Sequence, residues 1–334
     1  MSHVFRSLCI TLGGIAFVVL GVLTIPAAAQ PGPHYSDWSA PVPVSALNTT
    51  LTEFPNGISR DALSLYFQRR NNATGEDLYV AHRPDAESDW NPPIKLPATI
   101  NSNYNDRAAY ISADEHWLLF SSDRPGGVGG NDLYISRRTH TDDDMAWEPA
   151  VNISVVNSVG FDSGPALYEP DDTNYRLLFF NSAPFPGGLQ AVADLYISYW
   201  GPEGFRPPAL ASELNSAYQE GRPYLRSDGL EIYFQSNRQP PNKALWVWGA
   251  TRDSIRAPWT TPAPIVTPAN FIDPTITNVS TPVLSWDGLT LWIGAIRGSD
   301  PGDVYVMHRT KVHKEKCFKH PWLCQPWDEE QSQQ

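Results

Sequence analysis

The sequence is short of basic residues and of segments free of proline. Its 334 residues include 24 Lys and Arg against 36 Asp and Glu, which gives a formal net charge of −12 at pH 7. Because nucleic acids are held by clustered basic side chains, this balance excludes a nucleic-acid partner. The 31 prolines are spread along the chain, so long helices are not expected.

The N-terminus has the pattern of a secretory signal. An apolar run extends from about Leu8 to Ile25, and small residues at 27–29 then allow cleavage before Gln30. We therefore predict a signal peptide over residues 1–29 and a secreted or periplasmic protein. The apolar run is also long enough for a membrane anchor, so the protein is expected to touch a membrane only if the signal stays uncleaved.

Cysteine is scarce, with three in the chain, and Cys317 and Cys324 are the two that remain after cleavage. An even, close pair in an exported chain predicts a disulfide that closes a small loop in a C-terminal tail over residues 311–334. His313 and His320 lie beside these cysteines and leave a zinc site as the alternative.

One unit recurs five times along the chain. Copies include "LYFQRRNNATGEDLYVAHR" (Leu65 to Arg83) and "SSDRPGGVGGNDLYISRR" (Ser121 to Arg138), and three more begin near Leu177, Ile232 and Leu291. A phosphate-binding loop would lead from its glycines into a helix. Here the glycines of the second copy lead into the alternating stretch "DLYIS", so we interpret this segment as the turn of a β-hairpin.

Four short strands in each of five units predict an all-β fold, a five-bladed β-propeller over residues 30–310. A segment with an aromatic residue and a nearby proline supplies the outer strand of each blade. The first such segment, Trp38 to Asn48, precedes any complete blade, and nothing equivalent follows Thr310. We expect this N-terminal strand to pair with the last unit and to close the ring, which removes an exposed sheet edge.

The units resemble the TolB-type, WD-like β-propeller repeats of secreted and periplasmic bacterial proteins. Ser121 to Arg138 carries the match, with Ser-Ser-Asp-Arg-Pro-Gly-Gly followed by Gly-Gly-x-Asp-Leu-Tyr, and Ser227 to Arg238 is similar to the other half of the repeat. The resemblance covers Trp38 to Thr310. It departs in blade three, where Glu169-Pro170-Asp171-Asp172 stands at the turn and Pro184 replaces the usual arginine. Repeats of this kind mostly occur in proteins without an assigned activity or in protein-binding modules.

Carboxylates occupy equivalent positions at the start of the first strand in blades one to four, whereas blade five has Val279 there. Because the innermost strands surround the propeller axis, we expect these carboxylates to gather at one mouth of the axial channel. Two arginines accompany them. The predicted ligand-binding residues are therefore Glu53, Asp106, Arg107, Asp162, Glu220 and Arg222.

Three interpretations of this carboxylate ring remain open. The acids stabilise their own blades by accepting backbone or hydroxyl hydrogen bonds, or their oxygens bind a hard cation such as calcium. Alternatively, they are catalytic, since five-bladed glycosidases of the arabinanase and levansucrase type place carboxylates near the starts of their inner strands. A glycosidase needs a carboxylic acid and an ionised carboxylate. The candidates are Glu220 as the acid, Asp106 as the base or nucleophile, and Asp162. Apart from calcium, no cofactor is predicted.

From this sequence we expect an exported propeller that acts by binding a protein or a glycan of the cell envelope or the extracellular space. A carbohydrate-active enzyme that uses the carboxylate ring is the main alternative. A scaffold subunit whose blades dock partner proteins is a second alternative.

Overall fold

The structure is a computed structural model that describes residues 34–71, 75–171, 173, 175–183, 193–238, 244–298 and 301–312. The predicted signal peptide and the predicted disulfide between Cys317 and Cys324 lie outside these residues. Within them, no helix is long and apolar enough to cross a membrane. One short 3-10 helix occurs, Pro268–Asn270.

Strands form nearly all of the regular structure. In chain order they are β1 His34–Tyr35, β2 Val42–Pro43, β3 Thr52–Ile58, β4 Ser64–Asn71, β5 Gly75–His82, β6 Ile94–Lys95, β7 Asp106–Ile111, β8 Trp117–Ser122, β9 Asp132–Arg137, β10 Val151–Asn152, β11 Phe161–Tyr168, β12 Arg176–Ala183, β13 Asp194–Gly201, β14 Gly204–Phe205, β15 Ala209–Leu210, β16 Glu220–Leu225, β17 Glu231–Ser236, β18 Trp246–Thr251, β19 Ala263–Val266, β20 Ile276–Leu284, β21 Thr290–Arg297, β22 Gly302–His308 and β23 Lys311–Val312.

Five antiparallel sheets form the blades of a five-bladed β-propeller, as the sequence predicted. Blades one, two and four are β3-β4-β5-β6, β7-β8-β9-β10 and β16-β17-β18-β19. Blade three is β11-β12-β13-β15, and the short strand β14 also pairs with the end of β13. Blade five is β20-β21-β22-β2.

The ring is closed by the N-terminal segment, which confirms the predicted closure. Val42 of β2 pairs with Val306 of β22, and Pro43 pairs with Tyr305. Proline is tolerated here because β2 is the edge strand of its sheet. Beyond the ring, β1 pairs with β23, so residues 311–312, which the sequence assigned to the tail, are bound to the N-terminal segment.

The middle strands carry the core because neighbouring blades cover both of their faces. All six residues of β17 (Glu231–Ser236) are buried, and β8 is buried except for Trp117. Phe120 and Phe234 have no exposed surface. Burying a side chain of this kind contributes about 1.5–3 kcal/mol, so the stack of blades is held mainly by these apolar layers.

The first strands share a local irregularity where they approach the axis. Their pairing register shifts by a bulge in the middle of each strand. In blades two to five the bulge contains a residue in the left-handed region, and in blades three to five a proline follows it. These residues are Ala108 (φ 56°), Gly164 (φ 64°), Arg222 (φ 51°) and Thr281 (φ 49°). The bulge bends each strand and turns selected side chains toward the channel.

Candidate functional site

The four carboxylates predicted to surround the axis are buried inside their own blades. Glu53, Asp106, Asp162 and Glu220 each have 0% exposed surface. Each accepts hydrogen bonds from the backbone N–H and the hydroxyl of the Ser or Thr four residues earlier. In blade two, Ser102 donates to Asp106 Oδ2 from its N–H at 2.6 Å and from its hydroxyl at 2.8 Å. These contacts fix the turn that enters each first strand.

An arginine neutralises this carboxylate in three blades. Arg124 Nη2 lies 2.6 Å from Asp106 Oδ1, and equivalent ion pairs join Arg69 to Glu53 at 2.7 Å and Arg238 to Glu220 at 3.0 Å. Pairs this short, between groups withdrawn from water, are strong charge-assisted contacts, so these carboxylates are fully engaged with the protein.

Asp162 of blade three differs because no ion pair reaches it among the described residues. Ser158 and Ser182 supply its hydrogen bonds instead. Burial raises the pKa of Asp162, and these hydrogen bonds offset the rise in part. The buried positions give no support to the predicted catalytic roles of Asp106, Asp162 and Glu220, or to ligand binding by Glu53.

The two predicted arginines lie away from these carboxylates. Arg107 Nε is 2.9 Å from Glu76 Oε2, and its Nη2 is 3.6 Å from Asp123. Arg222 donates to Gln68 Oε1 at 3.3 Å. In the part of the chain that the structure describes, no three His, Cys, Asp or Glu side chains come together as a metal ion requires. Calcium at these carboxylates stays a prediction.

A cleft of about 460 Å³ opens at the other end of the first strands, beside blades two and three. Asp114 enters it from the turn between β7 and β8, and Glu169 follows the last residue of β11 directly. Arg176, the first residue of β12, lies between them. Arg60 comes from blade one and reaches Asp171 at 3.3 Å across the cleft.

One guanidinium holds both carboxylates of this cleft. Arg176 Nε lies 2.8 Å from Glu169 Oε2, and its Nη2 lies 2.9 Å from Asp114 Oδ2. The other oxygen of Glu169 accepts a hydrogen bond from the Ala113 N–H at 2.9 Å. Glu169 is buried, with 8% of its surface exposed, whereas the Asp114 side chain is 43% exposed.

The two carboxyl groups differ in acidity because their surroundings differ. Burial raises the pKa of Glu169 to about 7, although the Ala113 N–H and Arg176 act to lower it. Burial also acts to raise the pKa of Asp114, but hydrogen bonds from Ser112 and His116 and the charge of Arg176 outweigh it and lower the pKa. Near neutral pH, one group is therefore substantially protonated while the other is ionised. A pair of this kind can perform general acid–base chemistry.

Aromatic rings line the same cleft. Trp200 packs face to face with Phe205 of β14 at 4.8 Å, and the Arg176 guanidinium lies 4.8 Å above the Trp200 ring. Tyr175 at the rim packs against Tyr199 at 5.6 Å. These rings place apolar surface beside the polar groups of the cleft, a combination that is typical of small-molecule sites.

Sequence reasoning did not select Asp114, Glu169 or Arg176. Asp114 lies in the repeated turn motif, where every blade carries a polar residue, and Arg176 is far from it along the chain. The usable signal was the departure from the repeat at Glu169-Pro170-Asp171-Asp172. A residue that departs from the repeat is not required by the repeated fold and is therefore a candidate for a functional role.

Solved structures of similar fold include glycoside hydrolases. An α-L-arabinofuranosidase from Podospora anserina, solved in complex with cellotriose, matches with a TM-score of 0.56 and 13% identity over 83% of this chain and 98% of that one. A GH62 hydrolase solved in complex with xylotriose gives 0.54 and 12% over 81% and 96%. An endo-arabinase from Bacteroides thetaiotaomicron gives 0.53 and 15% over 82% and 97%. At these identities the likeness establishes the fold alone.

No protein-family model matches the chain, and none of the curated proteins matches its sequence. The resemblance to TolB-type repeats is therefore not confirmed beyond the propeller itself. The prediction that the protein acts as a binding and interaction module is wrong on this comparison, because the three similar structures named above are carbohydrate-active enzymes. The comparison favours the alternative of a carbohydrate-active enzyme.

Proposed function

We propose that this protein is a glycoside hydrolase whose reaction takes place in the cleft beside blades two and three. The observation that carries the proposal is the pair of carboxyl groups on Arg176, whose pKa values are moved in opposite directions. The fold, which glycoside hydrolases share, and the aromatic lining of the cleft both support a carbohydrate substrate. If the N-terminal signal directs export, as its sequence predicts, the protein binds its carbohydrate outside the cytoplasm.

In the proposed reaction, Glu169 is the general acid and Asp114 is the ionised carboxylate. The proton of Glu169 goes to the glycosidic oxygen as the bond to the anomeric carbon breaks, which lets the leaving sugar depart as an alcohol. Asp114 either takes a proton from the attacking water or attacks the anomeric carbon itself. Hydrogen bonds from Ser112 and His116 and the charge of Arg176 lower the pKa of Asp114, and burial raises the pKa of Glu169 to about 7, so a substantial fraction of Glu169 holds its proton at neutral pH.

The test is product release from arabino- and xylo-oligosaccharides, followed by mass spectrometry. Wild type is compared with Glu169→Gln, Asp114→Asn and Glu115→Gln. Glu115 is the matched control because it is adjacent to Asp114 and burial also raises its pKa, yet its carboxylate is directed to Arg138 at 3.4 Å instead of the cleft. We expect Glu169→Gln to lose about 100-fold or more in kcat, and Glu115→Gln to retain activity.

Equal cleavage by wild type and Glu169→Gln would overturn this assignment. Loss of cleavage in a folded Asp106→Asn or Glu220→Gln variant, with Glu169→Gln unaffected, would instead return the reaction to the carboxylates at the starts of the first strands. Absence of any product across arabinosyl, xylosyl, glucosyl and galactosyl substrates would count against the hydrolase itself.

A further inference from the structure

A serine, a histidine and an aspartate are in hydrogen-bond contact at the end of blade one from which Arg60 reaches the cleft. Ser64 is the first residue of β4 and lies directly opposite His82, the last residue of β5. The Ser64 hydroxyl is 2.9 Å from His82 Nδ1. His82 Nε2 is 2.6 Å from Asp144 Oδ2, which belongs to the loop after β9 of blade two. A hydroxyl, a base and an orienting acid in this order are the arrangement that activates a serine.

The propeller does not require these residue types at this position. In blades two to four the residues at the matching ends of the second and third strands are Trp117 and Arg137, Arg176 and Trp200, and Glu231 and Thr251. Blade five has a hydroxyl and a histidine, with Thr290 Oγ1 3.3 Å from His308 Nδ1. No ion pair joins His308 to a carboxylate in the part of the chain that the structure describes. Among the described blades, the three groups therefore come together in blade one.

The contacts assign a role to each imidazole nitrogen of His82. Because a carboxylate accepts hydrogen bonds, the neutral ring carries its proton on Nε2 and donates it to Asp144. Nδ1 then has a free lone pair and accepts the Ser64 O–H. The other oxygen of Asp144 is 3.2 Å from Nη1 of Arg138, whose side chain is buried. The acid is thereby held from behind and fixes the orientation of the ring.

The hydroxyl of Ser64 is not used to close the turn before β4. That role belongs to Ser59, whose Oγ accepts the N–H of Leu63 at 3.2 Å and the N–H of Ser64 at 2.9 Å. Ser64 is partly exposed, and the His82 side chain is 37% exposed. The nucleophile and its base can therefore be reached by a ligand, while the backbone of Ser64 is fixed.

We propose that Ser64, His82 and Asp144 form a second catalytic centre, which hydrolyses esters of short acyl groups. Ser64 Oγ attacks the acyl carbon while its proton passes to His82 Nδ1. His82 gives this proton to the departing alcohol oxygen as the ester bond breaks, and the acyl group stays on Ser64. His82 then takes a proton from the water that attacks this acyl group and returns it to Ser64 Oγ as the carboxylic acid leaves.

The surroundings of the centre favour a short acyl group over a long apolar chain. Besides Asp144, the charges of Arg138 and Glu115 act on His82, so the neighbouring surface is ionic. An apolar chain gains nothing from such a surface, whereas an acetyl group needs little contact area. The centre is separate from the carboxyl pair of the cleft, and the proposal does not depend on a glycosidase activity.

A fluorophosphonate probe tests the nucleophile on the wild-type protein, because an activated serine displaces its fluoride and forms a stable bond to phosphorus. Peptide mapping by mass spectrometry should place one adduct on Ser64 in the folded protein and none after unfolding in urea. Ser64→Ala should remove the adduct, and His82→Gln should slow its formation about 100-fold or more. A wild-type protein that stays unlabelled, or that is labelled elsewhere than at Ser64, would overturn the proposal.

Release of 4-nitrophenol from 4-nitrophenyl acetate and octanoate tests turnover, and neither ester contains a glycosidic bond. We expect the acetate to be the better substrate and Ser64→Ala to lose about 100-fold or more in kcat/KM. Thr290→Ala and His308→Gln are the matched controls and should keep the activity, since their pair lacks the acid. Equal turnover by wild type and Ser64→Ala, or faster turnover of the octanoate, would contradict the assignment.

The pH profile of acetate hydrolysis separates this role from a merely structural one. The hydrogen bond to Asp144 raises the pKa of His82 above its ordinary value of 6.5, and burial and Arg138 act against that rise. Because the neutral imidazole takes the serine proton, the rate should increase as pH rises through this raised pKa and then level off. A rate that stays constant across this range would show that His82 is not the base.

Discussion

At the scale of single residues, the same carboxyl group takes different roles according to what surrounds it. Glu53 and Glu169 are both buried and each has a short ion pair with an arginine, but Glu53 closes the entry turn of its blade whereas Glu169 lines the cleft and has a raised pKa. At Glu169 the hydrogen bond from the Ala113 N–H and the charge of Arg176 do not offset the burial. Residue type alone does not separate the two, and the difference that the sequence shows is that Glu169 breaks the repeat whereas Glu53 follows it.

The pH dependence of hydrolysis should follow the two carboxyl groups of the cleft. Activity requires Glu169 protonated, so kcat/KM should fall as pH rises through about 7. It also requires Asp114 ionised, so kcat/KM should fall at acidic pH, below the ordinary pKa of aspartate. The residual activity of Glu169→Gln should lack the alkaline decline. An alkaline decline that is unchanged in this variant would assign the acid to another group.

Two histidines at equivalent strand ends should affect stability with opposite signs. A hydrogen bond to Asp144 raises the pKa of His82, whereas burial lowers the pKa of His308. The folded state therefore binds the His82 proton more tightly than the unfolded chain does, and this stabilisation is present below pH 6.5 and lost as pH rises through the folded pKa. The His308 contribution is present above pH 6.5 and lost as pH falls.

Urea unfolding of His82→Gln and His308→Gln across about pH 5 to 8 checks this pair. The difference in unfolding free energy from wild type should shrink with rising pH for His82→Gln and grow for His308→Gln. Differences that stay constant with pH in both variants would show that neither histidine changes its proton affinity on folding.

At the scale of the elements, the blades share one set of stabilising side-chain contacts, with local exceptions. The repeated acid closes the entry turn of the first strand, and an asparagine side chain bridges to the third strand, as Asn101 does with the N–H and C=O of Leu78. The sequence predicted these units because the turn residues and alternating strands recur. It did not predict β14, whose two residues carry no repeated pattern, nor the direction of the acids, which depends on strand register.

The repeated acid permits a stability comparison between blades two and three. Asp106→Asn removes the charge that neutralises Arg124. Because a largely buried guanidinium is then left unpaired, the free energy of unfolding should fall by about 3 kcal/mol or more. Asp162→Asn should cost about 1 kcal/mol or less, because Asp162 has no ion pair and its raised pKa already favours an uncharged group. The measurement is urea unfolding at neutral pH. If Asp106→Asn and Asp162→Asn lowered the free energy of unfolding equally, the ion pair with Arg124 would contribute nothing to stability.

At the scale of the whole molecule, ring closure repeats a contact that blades one, two and four make internally. An arginine after the third strand donates to a turn carbonyl and lies over a tryptophan: Arg83 on Trp90, Arg138 on Trp147, Arg252 on Trp259 and Arg309 on Trp38, with separations of 4.6, 4.6, 4.2 and 4.5 Å. In the last pair the tryptophan comes from the N-terminal segment. The sequence indicated this, since Trp38 opens a fourth strand that has no blade of its own.

This arrangement predicts different consequences for two chemically identical substitutions. Trp38→Ala removes one of the two aromatic contacts between the N-terminal segment and Arg309, the other being Tyr35 at 3.7 Å, so the segment should detach more often while the blades stay folded. The amides that report detachment are those of Val304, His308 and Thr310, which donate to Asn48, Ser39 and Ser36. A loss of about 2 kcal/mol at this contact would speed their hydrogen exchange roughly 30-fold without altering the amides of the middle strands.

Trp147→Ala removes the same contact within blade two, where the chain is continuous and no segment is free to detach. Trp147 is buried, with 2% exposed surface, so the cost of about 3–5 kcal/mol should lower the global stability. The exchange of the Val304, His308 and Thr310 amides should then change together with that of the most protected amides. If Trp38→Ala also accelerated every amide equally, closure and folding would be one cooperative event, and the N-terminal strand would be as integral to the ring as any strand inside a blade.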